Sequence, residues 1–284
     1  MMKRWVFIIF IVSTIVIIAL SKWQYESRLA AISDQAAEEL NTVMADNGES
    51  TADTGAVEEN VSVEDEVGEA DEEFVDMDVH PLLEDVMEQA LADSRPVEIV
   101  AFGSRALTDY DDTGVTPWPE LLEEALAAHY GEDHFTVNVY SYGALMSSEV
   151  TEEDHHIEVA VSGGDIFLIE PFIWNDNGNL LIRDTIVYAE TMAEAIAEEN
   201  PDAVIALMPS QPRGISQAPN YINNQIVPFR EFAEESEYVF LDHWTNWPEL
   251  DDEEMDDYLD GVLPSQDGHE AWSSYIASWV MNDN

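Results

Sequence analysis

The side chains of this chain that could do chemistry fall in four short stretches. In "VEIVAFGSRALTDY", residues 97–110, an apolar run ends at Gly103, and Ser104 and Arg105 follow at once. "YSYGALMSS" (140–148) carries Gly143, and "EPFIWNDNG" (170–178) carries Asn175 and Asp176. "LDGVLPSQDGHEAW" (259–272) carries Asp260, Asp267 and His269. A hydroxyl, a tight glycine, an amide and a carboxylate–imidazole set are the parts that acyl transfer to water requires. They supply a nucleophile, a base with its orienter, and donors for an oxyanion.

Such parts work only if the fold brings them together. The runs 97–102, 135–142, 165–172, 203–209 and 238–243 read as short strands. Helical stretches lie between or after them at 117–130, about 147–161, 183–199, 221–236 and 266–281. Strands alternating with helices predict βαβ units. The expected domain is therefore α/β, a flavodoxin-like doubly wound sheet of about five parallel strands with helices on both faces. Ligands of such sheets bind outside the carboxyl ends of the strands, where the four stretches fall.

The order and spacing of these blocks resemble the SGNH, or GDSL-type, hydrolases, a superfamily of serine esterases and lipases. The resemblance covers roughly residues 95–282. "PWPELLEEAL" and "DGHEAW" also look like secreted Gram-positive members. By this resemblance Gly143, through its N–H, and Asn175, through its amide, are oxyanion donors. The first and last blocks are degenerate. Aligned on Gly103, Ser104 holds the family's aspartate position and Arg105 its nucleophile position; Asp260 aligns with the aspartate of the last block and Leu263 with the catalytic histidine.

Two readings follow. In one, Ser104 attacks, His269 is the base, Asp260 or Asp267 orients the ring, and Arg105 binds substrate or the oxyanion. The chain is then a cell-surface esterase acting on a small ester, a lipid or an acylated glycan, with no metal or cofactor. In the other, Ser104 is a helix cap, His269 is packed at a helix start, and the cleft binds a glycan or peptide without cleaving it. A transferase on the same scaffold is a third, weaker possibility.

Other candidates have plainer readings. His155 and His156 point about 100° apart on a helix and fit a solvated face better than a metal site. His243 follows the fifth strand and is a substitute base of lower rank. Trp118, Trp174, Trp244, Trp247 and Trp272 fit packing better than a sugar platform. "DDEEMDD" (251–257) lacks the spacing and glycine of a calcium loop. Phosphate-loop, dinucleotide-fingerprint and nucleophile-elbow motifs are absent.

Composition bounds the setting. Sixty-one acidic residues against nine basic ones give a net charge of −52, which repels nucleic acid and anionic lipid. Both lysines, Lys3 and Lys22, lie near the start. A lysine-poor acidic exterior suits a halophilic or alkaliphilic source. With no cysteine, disulfides and thiolate metal sites are excluded. Residues 5–21 are uncharged and apolar behind Lys3 and Arg4, so residues 1–28 are expected to form an N-terminal transmembrane anchor, or a signal peptide, with the remainder outside. Residues 29–78 read as an acidic disordered tether, and 79–284 as the SGNH-like domain.

Overall fold

The structure is a computed structural model that describes residues 78–283, apart from 109–113 and 215–217. The expected anchor (1–28) and all but the last residue of the expected tether (29–78) lie outside the described residues. Among the described residues, no helix is long and apolar enough to cross a membrane.

Five parallel strands form one sheet: β1 (Val97–Gly103), β2 (Phe135–Ser141), β3 (Ile166–Ile169), β4 (Val204–Leu207) and β5 (Val239–Phe240), in the order β2-β1-β3-β4-β5. The order reverses direction at β1, so a crevice opens between the carboxyl ends of β1 and β3. Helix α1 (Glu84–Ala92) precedes the sheet, and α2 (Trp118–Tyr130) links β1 to β2. Two short helices, α3 (Ser147–Glu152) and α4 (His155–Ala160), lead to β3. A single turn, α5 (Ile173–Asp176), and the long α6 (Ile182–Glu199) lead to β4. The next crossover runs through α7 (Pro219–Tyr221), a π-helical stretch (Ile222–Ile226) and α8 (Val227–Glu235). A small antiparallel hairpin of β6 (Leu259–Asp260) and β7 (Leu263–Pro264) precedes the final helix, α9 (Gln266–Val280).

Strand side chains alternate between the two faces, and the apolar runs fill both. Val97, Ile99 and Ala101 of β1, with Ile166 and Leu168 of β3, pack on one side beneath α1, α2 and α9. Val100 and Phe102, with Phe167 and Ile169, pack on the other beneath α3, α4, α6 and α8. The indoles of Trp118 and Trp272 stack 5.4 Å apart, and His243 lies on Trp272 at 3.9 Å. Each buried aromatic of this kind stabilises the fold by about 1.5–3 kcal/mol.

The expected strands all form, though β5 pairs over only two residues. The expected helix 147–161 is broken at Asp154, whose φ of 61° is left-handed and cannot continue a right-handed helix. The 221–236 helix starts as a π-helix. Neither α1 nor the β6–β7 hairpin was expected from the sequence pattern.

Candidate active site

Ser104 sits directly after β1 with 2% of its surface exposed. Its Oγ caps the one-turn helix Arg105–Leu107 by accepting the Ala106 N–H at 3.4 Å. The cap is only part of its bonding. The backbone N–H of Ser104 donates to Glu170 Oε2 at 2.8 Å, which sets its hydroxyl near the same carboxyl. Glu170 directly follows β3 and is wholly buried. Its Oε1 accepts from the hydroxyl of Ser210, beyond the end of β4, which in turn accepts the Trp174 N–H at 3.1 Å. One carboxyl therefore ties together the ends of three neighbouring strands. Gly103 makes this approach possible: a Cβ there would stand 2.9 Å from Glu170 Cβ and 3.0 Å from its Oε2. Burial pushes the Glu170 carboxyl above its ordinary range, against the bonds from Ser210 and Ser104, which pull it down.

Sequence reasoning passed over Glu170. A signal was present: in "IFLIEPF" one carboxylate stands flush with a fully apolar strand, at the end where ligands bind. A charged residue so placed has to be paired or functional.

Gly143, Asn175 and Arg105 do converge, but on a carbonyl. The Gly143 C=O accepts from the Arg105 backbone N–H at 2.9 Å and from Asn175 Nδ2 at 3.1 Å. Nδ2 of Asn175 also donates to Leu145 O at 2.7 Å. The Asn175 amide thus fastens the loop after β2, and both its protons go to backbone oxygens rather than to an oxyanion position. Gly143 adopts a left-handed φ of 57°, and its N–H makes only a long bond, 3.4 Å, to Ser141 Oγ. Ser141 Oγ itself donates to the Ser104 carbonyl at 2.9 Å. Asp176 is buried, accepting from the Ser147 N–H and hydroxyl and from the Thr185 hydroxyl at 2.7 Å, so it staples α3 to α6.

The expected Ser104–His269–Asp relay does not assemble. His269 is buried in the first turn of α9, and its Nδ1 accepts the Trp118 N–H at 3.1 Å. The proton of the neutral ring therefore sits on Nε2, which is the wrong tautomer for a base oriented by a carboxylate at Nδ1. Burial lowers its pKa to about 3. Asp260, on the hairpin, and Asp267, in the first turn of α9, are both exposed; neither bonds the ring. His243 is also committed to structure. Its Nε2 bonds Pro209 O at 2.9 Å, Nδ1 accepts the Trp247 indole N–H at 3.1 Å, and burial lowers its pKa to about 3. Among the described residues, the hydrogen-bond partner of the Ser104 hydroxyl is the Ala106 N–H, with the Glu170 carboxyl nearby, and not a histidine. Arg105 is half-buried beside them.

Among the described residues, no group of three or more His, Asp or Glu side chains is placed to hold a metal. His155 pairs with Glu153 and Glu158, while His156 turns inward. Four of the five tryptophans are core residues; Trp174 is half-buried, with the Arg213 guanidinium 5.3 Å above its ring.

The architecture is that of the SGNH hydrolases. A protein described as lipolytic and of the G-D-S-L family, from Desulfitobacterium hafniense, superposes with a TM-score of 0.51 at 16% identity, covering 65% of this chain and 99% of its own. A protein described as a GDSL-like lipase, from Parabacteroides merdae, gives 0.51 at 12% identity, covering 64% and 94%. No family model matches the chain, and no curated protein is significantly similar in sequence. What is shared is the fold.

Proposed function

We propose that this protein is an ester hydrolase in which Ser104 attacks and Glu170, rather than a histidine, receives its proton. The observation that carries the reading is the bond from the Ser104 N–H to the buried Glu170 carboxyl at 2.8 Å, which sets the Ser104 hydroxyl near that carboxyl at the mouth of the β1–β3 crevice. As carboxylate, Glu170 takes the Oγ proton while Oγ bonds to the acyl carbon and the carbonyl electron pair moves to oxygen. When the intermediate collapses, the bond to the alcohol breaks and the departing alkoxide takes the proton from Glu170. Water then attacks the acyl-serine with Glu170 again as base. The acid is released and Ser104 regains its proton. The raised pKa of Glu170 makes its carboxylate a stronger base than a solvated one. Arg105, next in the chain, and the weakly held Gly143 N–H are the proposed partners of the oxyanion. The apolar run at 5–21 behind Lys3 and Arg4 supports an outward-facing, membrane-anchored placement.

The rival reading, a cleft that binds without cleaving, is favoured by Leu263 at the family's histidine position and by the tautomer of His269. A fluorophosphonate probe separates the two. Labelling mapped to Ser104 by mass spectrometry and lost in Ser104→Ala supports hydrolysis. A folded protein that stays unlabelled and does not turn over p-nitrophenyl acetate leaves the binding reading.

A further inference from the structure

A groove of about 680 Å³ lies between the segment Asn177–Arg183 and the residues Asn220, Asn224 and Gln225. Its lining is unusual for this chain. The chain carries 61 acidic residues, yet among the described residues none lines the groove, while five side-chain amides do. The cation among its described lining residues, Arg183, is exposed and lies 3.3 Å from Asp184. Gln225 adds a second, independent observation. It is 6% exposed, and its Nε2 donates to Leu180 O at 3.4 Å, which fixes which way round the amide sits. Oε1 is then a buried acceptor with no donor. An unpaired buried acceptor is destabilising and calls for an explanation. Gln225 is held by the π-helical stretch Ile222–Ile226, a distortion often found at binding sites.

We propose that this groove binds an uncharged carbohydrate chain, whose hydroxyls pair with the amides of Asn177, Asn179, Asn220, Asn224 and Gln225. A hydroxyl donates and accepts, as a side-chain amide does, so a row of amides matches a row of hydroxyls. The surrounding acidic surface disfavours an anionic polymer, and Arg183 disfavours a cationic peptide. Leu181, 57% exposed, offers an apolar surface to the C–H face of a sugar ring. The groove begins where the candidate active site ends, because Asn177 caps α5 and Asn179 Nδ2 donates to Asn175 O at 3.0 Å. Binding of this kind does not depend on turnover.

The test is isothermal titration of the full-length protein in high salt, in a zwitterionic detergent without a sugar headgroup, against chitotetraose and maltotetraose. At least one is expected to bind. The exposed substitutions Asn220→Asp and Asn224→Asp, checked for folding by circular dichroism, are expected to weaken it about tenfold or more. Ser104→Ala is expected to bind as tightly as wild type, so failure of the hydrolytic reading leaves this result standing. No binding of either tetrasaccharide at about 10 mM would overturn the proposal, since such an affinity is too weak to register a site. So would binding that both variants leave unchanged, or capture of tetra-alanine in place of the sugars.

Discussion

Replacing Glu170 by glutamine separates the proposed base from its structural surroundings. Oε2 must go on accepting the Ser104 N–H at 2.8 Å, so the glutamine oxygen stays there and its NH₂ faces Ser210. Ser210 Oγ already accepts the Trp174 N–H and has a second lone pair for the new donor. One bond is exchanged for another, and the change in stability at neutral pH should stay within about 1 kcal/mol. The chemistry has no such substitute. Loss of a general base costs about 10²–10⁴ in rate, or roughly 3–5 kcal/mol of barrier.

The assay is initial-rate hydrolysis of p-nitrophenyl acetate from about pH 5 to pH 10, for wild type, Glu170→Gln and His269→Gln, a window chosen because ordinary carboxyls ionise near 4.3 and histidines near 6.5. Wild-type rate should rise with pH as Glu170 ionises, at a midpoint displaced upward from the ordinary carboxyl value by burial. Glu170→Gln should lack that limb, and His269→Gln should keep it. Stability gives a second readout. A raised folded pKa means the native state holds the Glu170 proton more tightly than the unfolded chain does. Its contribution is therefore complete below the ordinary carboxyl range and is lost as pH rises toward the folded pKa. Glutamine has no proton to lose, so Glu170→Gln should gain on wild type as pH increases. An undiminished rate in Glu170→Gln, or a pH limb abolished by His269→Gln, would refute the assignment.

The histidines should respond in the opposite pH direction. His243 and His269 have pKa values lowered to about 3, so their contribution is intact above about 6.5 and is lost as pH falls; by pH 4 the loss amounts to roughly 3 kcal/mol each at most, seen as acid unfolding that His269→Gln blunts. Gly103→Ala should destabilise by about 1–3 kcal/mol in urea titration and reduce activity with it, because its Cβ meets the Glu170 side chain at 2.9 Å.

The sheet was legible because β3 and β4 are unbroken apolar runs and β1 is broken only by Glu98, the pattern of a parallel sheet covered on both faces. The same logic placed Ser104, Gly143 and Asn175 at strand ends, and there they are. Side-chain bonding was not legible, and His269 shows why. In sequence, an Asp two residues before a His at a helix start looks like a relay. In space Asp267 faces solvent from the first turn of α9, while the ring is drawn inward to cap the N-terminus of α2, 151 residues away. Register within a motif says little about which nitrogen meets which donor, because that is decided by an element far along the chain. Glu170 is the converse case. Nothing local marks it as a partner of Ser104, 66 residues earlier; only the pairing of β1 with β3, Phe102 beside Ile169, carries the two strand ends to one point. An ionisable group fully buried there must share its proton or its charge with its nearest neighbours. Its bonded neighbours are two serines, Ser104 through its N–H and Ser210 through its hydroxyl, and of these Ser104 lies at the crevice between β1 and β3, where this fold places its chemistry.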